Sequence, residues 1–528
     1  MDFKQQMSSG KTSLGIELGS TRIKAILVGE NPNEVIGSGS FEWENSLVDG
    51  LWSYSLDEVW EGIQATFRDL QENLQENYGI RLSRIGSIGI SAMMHGYLAL
   101  DKDDQLLVPF RTWRNTNTQR AADQLTKLFG MNIPLRWSIA HLQQVIIEDS
   151  EHVSDIDFLT TLAGYVHYKL TGEKVIGIGD ASGMFPIDPE KKNYDQQMIE
   201  SYRTLTADSA LSKDILEIMP RVLLAGEQAG ELTAEGAKLI DPEGGLLPGS
   251  VLCPPEGDAG TGMVVTNAIA PTTGNVSVGT SIFAMVVMEK ALTEIHHEID
   301  VVATPVGDSV AMVHCNNGAS ELAAWVSIFN EFAELSGTGI EKDDVYKLLL
   351  TKALEGEDDA GGLLAYNYLA GEPISGIASG VPTTLRTPES NFSLANFMRS
   401  QVLGVFATLS MGMEVLAQEQ VSISQMNAHG GIFKTSGVAQ QMLSAAIGAP
   451  ISVASGASEG GAWGMAILAS FAVSDSKDLG DYLQHQVFAD STSVTVEATE
   501  SEIAGFRTYM ERYKKGLAAV AVASEGVS

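Results

Sequence analysis

Two short turns in this chain are rich in hydroxyl side chains and are flanked by apolar runs. They consist of Gly19, Ser20 and Thr21 in SLGIELGSTRIKAILVGE, and of Gly279, Thr280 and Ser281 in TGNVSVGTSIFAMVVMEK. In such a turn, consecutive backbone N–H groups and side-chain hydroxyls form a concave site for an anion. A single turn of this kind is usually only structural. Two matching turns in one chain instead predict a site for the phosphates of a triphosphate.

Two charged residues flank the first turn. Glu17 comes at the end of the preceding apolar run and Lys24 lies in the following one. Magnesium prefers carboxylate oxygen and keeps several of its waters, so we predict that Glu17 holds a magnesium ion through water. We predict that Lys24 supplies a positive charge to the phosphates, and a solvated lysine at a strand edge is the alternative.

The segment PPEGDAGTGM places Asp258 in a glycine-rich loop that follows Pro254 and Pro255. Phosphoryl transfer through a loose transition state makes small demands on a base, so an ionised aspartate that accepts the hydroxyl proton late in the reaction suffices. Gly-Asp pairs also commonly cap turns, which is the structural alternative. We predict that Asp258 is the general base and a second ligand of the magnesium.

Two further segments have side chains suited to a polyhydroxy substrate. SAMMHGYLAL contains Met94 and His95, and FRTWRNTNT contains Trp113 and Asn115. The histidine could donate to a substrate hydroxyl, although a lone histidine at a strand end is more often structural. The tryptophan offers an aromatic face and the asparagine an amide, and both residue types also serve packing and turns. We predict that these four residues bind the substrate.

The segment AHGGIFKTSGVAQQML places Gly430 and Gly431 between a predicted strand and a predicted helix. Glycine lets the backbone approach a flat ring closely, so we predict that this segment, with Lys434, binds adenine. A glycine pair at this position can equally serve packing. Asp180 and Ser182 lie in another glycine-rich bend, for which a structural role is at least as well supported.

The elements that must position these residues alternate between strand and helix. Each hydroxyl-rich turn joins two predicted strands, and residues 56–78 form a predicted helix with a capping box of Ser55 and Glu58 and a stop at Gly79. The order hairpin, helix, strand indicates an α/β lobe. Because the strand–turn–strand pattern recurs in mid-chain, we interpret it as an internal duplication. Further helices are predicted at 394–416, where the helix is apolar and buried, at 437–447, and through EGGAWGMAILASF.

Composition excludes several classes of function. With 528 residues and 44% hydrophobic content, the chain is too long for one ordinary core. Its two cysteines, Cys253 and Cys315, support neither a disulfide framework nor a structural zinc site. A net charge of −34 disfavours nucleic acid and anionic membranes as partners. Since the opening residues lack a signal-peptide pattern, we expect a cytoplasmic protein.

Taken in order, these segments resemble the motifs of the FGGY carbohydrate kinases over essentially the whole chain. GIELGSTRIK resembles the first phosphate motif, MHG and WRNTNT the sugar-binding segments, EGDAG the catalytic-base loop and SVGTS the second phosphate motif. GGIFKTSGVAQQMLSAAIGAPISV with EGGAWGMAILA resembles the adenosine segment, and YNYLAGEP resembles the GE.P loop. The resemblance implies an α/β fold of two ribonuclease-H-like (actin-like ATPase) lobes, 1–262 and 263–528, with a central inter-lobe cleft.

The same resemblance implies an activity. It implies ATP and magnesium as cofactors and a ketopentose as substrate, because MHG and the tryptophan loop resemble xylulokinases and ribulokinases more than glycerol kinases. Xylulose and ribulose are not separated. The family usually has Asp at the positions of Glu17 and Asn115, so metal geometry and substrate identity transfer less directly. The alternatives are a kinase of glycerol, an aldonate or a signalling sugar, a sensor that has lost catalysis, and a chaperone or filament ATPase. A homodimer is left open.

Overall fold

The computed structural model describes residues 2–454 and 460–527. The chain packs as two compact units, which are Met1–Ile269 with Val301–Val310 and Ala457–Asp490, and Ala270–Asp300 with Ala311–Gly456 and Ser491–Ser528. Each unit contains a mixed β-sheet with helices, as expected for an α/β fold. The sequence predicted one boundary, between 262 and 263, whereas packing returns two later segments to the first unit.

The first unit is built on a six-stranded sheet. Its strands lie in the order Val251–Leu252, Ser87–Ala92, Ser13–Leu18, Arg22–Val28 and Val35–Glu42, and Glu256–Gly257 also pairs with Ser87–Ala92. The pairings among Ser13–Leu18, Ser87–Ala92 and Glu256–Gly257 are parallel, with Leu18 and Gly257 both opposite Ala92. Parallel strands end at the same edge of a sheet. The residues that follow these strands, Gly19, Met93 and Asp258, therefore emerge at one edge.

The helix Leu56–Tyr78 forms as predicted. Ser55 and Glu58 make the capping box, and Gly79 ends the helix with a φ of 68°. The other helices of the unit are Phe3–Ser9, Gln119–Phe129, Ser138–Ile147, Leu162–Thr171, Ile178–Ala181, Gln196–Thr206, Ile215–Ile218, Ala234–Ile240, Asp258–Val265, Gly461–Ala472 and Leu479–Tyr482, with a 3-10 turn at Glu151–Asp155 and a π turn at Leu483–Val487. Short strand pairs join Ser46–Val48 to Leu51–Ser53, Leu98–Leu100 to Phe158–Thr160, Val175–Gly177 to Arg221–Leu223, and Ile187–Asp188 to Asn193–Tyr194.

The helix Gly461–Ala472 explains why a late segment belongs to the first unit. It packs on the strands Ser13–Leu18 and Ser87–Ala92. A Cβ at Gly15 would lie 2.0 Å from the Ala462 carbonyl oxygen, and a Cβ at Gly89 would lie 2.7 Å from the Met465 methyl carbon. Glycine on both strands therefore lets this helix lie directly on the sheet.

The second unit repeats the strand order of the first. Its sheet contains, in order, Ile299–Ala303, Ser309–Cys315, Ile282–Val287, Thr273–Val278, Gln425–His429, Ile451–Ala454 and Ser493–Val496, and residues 301–310 of the first two strands and their connecting turn are grouped with the first unit. The strand before its turn, Thr273–Val278, pairs antiparallel with Ile282–Val287 and parallel with Gln425–His429. The corresponding strand of the first unit has the same two kinds of neighbour, which supports the predicted duplication.

The helices of the second unit include one that is long and apolar. They are Ser320–Leu335, Lys342–Ala353, Leu394–Gln418, Val438–Ile447 and Glu500–Val527, with 3-10 turns at Ala360–Gly362, Pro373–Ser375 and Gly431–Lys434, and a strand pair Leu364–Tyr366 with Thr383–Leu385. Within 2–454 and 460–527, only Leu394–Gln418 is long and apolar enough to cross a membrane. Its most apolar stretch is 78% buried in the protein, as expected of the buried core helix predicted from sequence.

Candidate functional site

Asp258 is the first residue of the helix Asp258–Val265, at the sheet edge described above. Its Oδ1 accepts N–H bonds from Met94 at 3.3 Å and from Ala259 at 3.0 Å. The surrounding protein raises the pKa of this carboxyl by desolvation, while the two N–H donors lower it. The residue is nevertheless exposed, so water reaches the carboxylate, and a helix N-terminus favours its charged form. We therefore take Asp258 to be ionised at neutral pH.

Glu17 and Lys24 are direct partners across the first hairpin. The Glu17 carboxylate accepts N–H bonds from Ala462 and Gly461, at the start of the helix Gly461–Ala472. Burial raises the pKa of Glu17, the charge of Asp258 raises it further, and Lys24 lowers it. The two carboxylates therefore lie close enough to repel each other, and Lys24 offsets part of that repulsion.

This pair of carboxylates has the chemistry of a magnesium site. Two like charges that repel each other are stabilised by a cation, and their oxygens are the donors that magnesium prefers. Because Glu17 already accepts two N–H bonds, it suits an indirect contact through water. In the described part of the chain no group of three or more His, Cys, Asp or Glu side chains is placed to bind a metal. Waters and phosphate oxygens would have to complete the ligand set.

His95 adopts a backbone conformation that non-glycine residues rarely take, with a φ of 72°. Its buried ring stacks on Trp137, and its Nδ1 lies 3.4 Å from the Gly183 carbonyl oxygen. Burial lowers the pKa of His95 well below its usual value, so the ring is neutral. Since a carbonyl oxygen only accepts, Nδ1 carries the proton and Nε2 is an acceptor. His95 therefore offers a substrate hydroxyl an acceptor, whereas the sequence predicted a donor.

The side chain of Asn115 makes hydrogen bonds within its own part of the fold. Its Oδ1 accepts the N–H of Trp52 at 2.8 Å, and its Nδ2 donates to the carbonyls of Trp52 at 2.8 Å and Thr112 at 3.1 Å. Both amide hydrogens are used, which leaves a sugar only the second lone pair of Oδ1. An aspartate could not make these donations. The neighbouring Trp113 is 39% exposed.

A buried pair of carboxyl groups next to Asp258 was missed from the sequence. Glu256 accepts N–H bonds from Gly179 at 3.2 Å and from Asp180 at 3.0 Å. Asp180 in turn accepts the Thr161 hydroxyl at 2.6 Å, and both carboxyls are 1% exposed. Burial raises the pKa of each, the charge of Asp258 raises that of Asp180 further, and Asp180 raises that of Glu256. A structural role for Asp180 was considered, but no spacing in the sequence connects it to Glu256.

The second hydroxyl-rich turn has Gly430 beside it. The strand Gln425–His429 runs parallel to Thr273–Val278 with His429 opposite Ser277, so Gly430 follows at the level of the turn. A Cβ at Gly430 would lie 2.0 Å from the Val278 carbonyl oxygen, and its φ is 127°. Packing therefore requires glycine at 430. By contrast, apart from its chain neighbours, no atom of residues 2–454 and 460–527 lies within 4 Å of a Cβ built at Gly431.

The predicted residues thus fall into groups within each unit. In the first unit, Glu17, Lys24, Met94 and Asp258 meet at one sheet edge with the turn of Gly19, Ser20 and Thr21. Trp113 and Asn115 lie in a loop attached to Trp52. In the second unit, Gly279, Thr280 and Ser281 lie with Gly430 at the sheet edge, followed by Gly431 and the exposed Lys434. The substrate, metal and nucleotide contacts of all these residues stay predictions.

Comparison with known proteins agrees with this organisation. Residues 12–243 match the N-terminal domain, and residues 274–473 the C-terminal domain, of the FGGY family of carbohydrate kinases. The chain is 23% identical over 435 residues to a xylulose kinase of Haemophilus influenzae, an alignment covering 80% of this chain and 83% of that protein.

Two solved structures from Lactobacillus acidophilus, a ligand-bound xylulose kinase and a gluconate kinase, each superpose with a TM-score of 0.76 at 19% identity. Each comparison covers 98% of this chain and 99% of the other. These similarities confirm the predicted α/β fold of the actin-like ATPases. Because the two TM-scores are equal, the fold does not distinguish xylulose from gluconate as a substrate. With both of its domains matched, the chain belongs to the FGGY family of carbohydrate kinases.

Proposed function

We propose that this protein phosphorylates a ketopentose, xylulose or ribulose, with ATP as donor and Asp258 as general base. The observation that carries the proposal is the placement of Asp258, an exposed carboxylate on a helix N-terminus at the edge where the parallel strands end. Family membership supports the reaction class, since both domains of a carbohydrate kinase are matched. It gives no sugar.

In this proposal each residue of the first unit has one task. Met94 and Ala259 both donate to Oδ1 of Asp258, which directs Oδ2 toward the acceptor hydroxyl and its proton. His95 accepts from another sugar hydroxyl through Nε2, and Trp113 covers an apolar face of the sugar. Lys24 balances negative charge next to Glu17. Magnesium, held by Asp258 and through water by Glu17, would neutralise charge on the phosphates.

The turns supply the phosphate contacts in the proposal. Backbone N–H groups of the turns at 19–21 and 279–281 bind phosphate oxygens, and the segment from Gly430 to Lys434 binds adenosine. The described part of the chain leaves room for such a ligand at Gly431, because it has no atom other than those of the chain neighbours within 4 Å of the Cβ position. Exclusion of water during the reaction would favour transfer to the sugar over hydrolysis.

A neutral ketose fits the electrostatics better than an aldonate. The carboxylates of Glu17 and Asp258 interact at the site, and the whole chain carries a net charge of −34. An anionic substrate such as gluconate would be repelled unless a cation screened it. This argument favours a ketose such as xylulose over gluconate as the substrate, and gluconate is therefore the second candidate.

A substrate panel tests the proposal. The purified chain is incubated with ATP, magnesium and, separately, D-xylulose, L-xylulose, D-ribulose, L-ribulose, glycerol or gluconate. ADP release is followed, and the sugar phosphate is identified by mass. We expect turnover with a ketopentose, and turnover at least about 100-fold slower with Asp258→Asn. Turnover confined to gluconate or glycerol would refute the substrate assignment, and nucleotide binding without any turnover would instead support a sensor.

A further inference from the structure

The first phosphate turn has an unusual set of internal donors. The indole N–H of Trp43 donates to the Gly19 carbonyl at 2.7 Å, and the Tyr54 hydroxyl donates to the Ser20 carbonyl at 2.6 Å. The backbone N–H of Trp43 also donates to the Thr21 carbonyl at 3.2 Å. All three carbonyl groups of the turn are therefore bound by residues of one neighbouring segment.

These bonds fix the direction of the N–H groups. In a trans peptide the carbonyl of one residue and the N–H of the next point in opposite directions. When the carbonyls of Gly19 and Ser20 point to Trp43 and Tyr54, the N–H groups of Ser20 and Thr21 point away from them. Within 2–454 and 460–527 no protein acceptor binds either of these two N–H groups. They form the concave donor pair that an anion needs.

The second turn has the same arrangement with different donors. Its Gly279 carbonyl accepts the N–H of Ala319 at 2.8 Å, and its Thr280 carbonyl accepts the N–H of Gly318 at 2.7 Å. Glycine is required at 318, because a Cβ there would lie 2.3 Å from the Gly279 carbonyl oxygen. The first two carbonyls are thus anchored in both turns. The first turn uses side-chain donors and the second uses backbone N–H donors to hold the same two carbonyl groups. This agreement indicates that the direction of these peptide groups is important in both turns.

Tyr54 and Trp43 are rigidly placed for this task. Tyr54 is 1% exposed and Trp43 is 7% exposed, and their rings stack with centroids 4.1 Å apart at an angle of 26°. The Nδ2 of Asn45 donates to the Tyr54 hydroxyl, which leaves the hydroxyl proton for Ser20. Burial raises the pKa of Tyr54, so the hydroxyl keeps its proton at neutral pH.

We propose that Tyr54, with Trp43, is a positioning residue for nucleotide binding: its hydroxyl turns the Ser20 carbonyl inward so that the next N–H faces a phosphate. This inference rests on the proposed function, which makes the turn a phosphate site. Without the hydroxyl the peptide between Ser20 and Thr21 is free to rotate. Nucleotide affinity falls as a result, while contacts to sugar and to adenosine are unaffected.

The test is Tyr54→Phe in the full chain, which removes one oxygen and keeps the ring stack. Calorimetry gives the Kd for a non-hydrolysable ATP analogue and for adenosine, and kinetics give the KM for ATP and for the sugar. We expect the Kd for the analogue and the KM for ATP to rise about three- to tenfold, as for loss of one hydrogen bond. The adenosine Kd and the sugar KM should not change.

Two further variants complete the test. Tyr482→Phe is the matched control, because it deletes a buried hydroxyl of the same unit that donates to Ser470 at 2.9 Å, and it should bind the analogue like the wild type. Trp43→Phe removes the indole N–H, which is the other side-chain donor, and should also raise the Kd for the ATP analogue. This variant keeps the inference testable if Tyr54→Phe fails to fold.

The outcomes separate the inference from the proposed function. If the wild type binds the analogue and Tyr54→Phe and Trp43→Phe bind it equally well, the positioning role is overturned and the kinase assignment stands. A matching loss of adenosine affinity, sugar affinity and melting temperature would also overturn it, because that pattern describes a general structural defect. If the wild type binds no nucleotide, the proposed function fails and this inference fails with it.

Discussion

Raising the pH from 7 to 8.5 should destabilise the wild-type chain more than it destabilises the Glu256→Gln variant. Glu256 and Asp180 are both 1% exposed, and Glu256 is bound by the N–H groups of Gly179 and Asp180. Desolvation raises the pKa of Glu256 from 4.5 to about 8 and that of Asp180 from 3.8 to about 7. In the unfolded chain both groups regain their ordinary values, so the folded chain binds more protons across this range.

The sign of the effect follows from proton linkage. Where the folded state binds more protons than the unfolded state, the free energy of unfolding falls as the pH rises. A carboxyl whose pKa is raised by folding contributes its full stabilisation below the pKa that it has in the unfolded chain. This stabilisation is lost as the pH rises through the pKa that it has in the folded chain. For Glu256 the loss of stability between pH 7 and 8.5 is on the order of 1 kcal/mol, because each proton that the folded state retains gives a slope of about 1.4 kcal/mol per pH unit.

Other groups do not obscure this window. Burial lowers the pKa of the buried histidines His95, His141 and His167, so they are neutral in the folded state, and their remaining protonation in the unfolded chain near pH 7 gives a small slope of opposite sign that is the same in wild type and variant. The window ends at pH 8.5 because the buried thiols of Cys253 and Cys315, whose pKa values are raised by burial, begin to ionise in the unfolded chain above it.

The assay is calorimetric melting of wild type and Glu256→Gln at pH 7 and 8.5 and equal ionic strength. Glutamine keeps the size of a protonated glutamate and cannot titrate. We expect the wild type to lose roughly 1–2 °C more than the variant over this interval, because about 1 kcal/mol shifts the melting temperature of a chain of 528 residues by about 1 °C. Glu72→Gln, at an exposed helix position, is the control and should follow the wild type. If the melting temperatures of wild type and Glu256→Gln fall equally between pH 7 and 8.5, the conclusion that Glu256 keeps a proton in the folded chain is refuted.

Two substitutions test the local geometry. Asn115→Asp removes the hydrogen bonds that Nδ2 donates to the Trp52 and Thr112 carbonyls. We therefore expect the free energy of unfolding to fall by about 1–3 kcal/mol and the KM for sugar to rise. Wild-type values for both would show that these two hydrogen bonds do not hold the loop. Gly430→Ala should lower the melting temperature because its φ is 127° and a Cβ would lie 2.0 Å from the Val278 oxygen, whereas Gly431→Ala should not; equal melting of the two variants would contradict the packing argument.

Much of the fold could be predicted because local signals agree with it. The capping box at Ser55 and the stop at Gly79 fixed both ends of one helix, and the two hydroxyl-rich turns predicted both hairpins. The packing of the helix Gly461–Ala472 in the first unit could not be predicted. It depends on contacts of Gly15 and Gly89 with residues more than 370 positions away, and no local pattern records which helix fills the space beside a glycine.

The candidate site was predicted less completely. Asp258 and Glu17 were both predicted as magnesium ligands, and in the structure the charge of Asp258 raises the pKa of Glu17. The pairing of Glu256 with Asp180 could not be predicted, since 76 positions separate them and neither has a distinctive spacing. The position of the proton on the His95 ring depends on a carbonyl 88 positions away, which only the folded chain reveals.

The phosphorylation rate of Asp258→Asn tests the central assignment most directly. Asparagine can still accept the Met94 N–H at Oδ1 but cannot take a proton from the sugar. We predict that kcat with the best ketopentose falls by about 10²- to 10⁴-fold, while the Kd for a non-hydrolysable ATP analogue stays at the wild-type value. A kcat close to that of the wild type, or a loss of nucleotide binding as large as the loss of kcat, would contradict the assignment of Asp258 as the base.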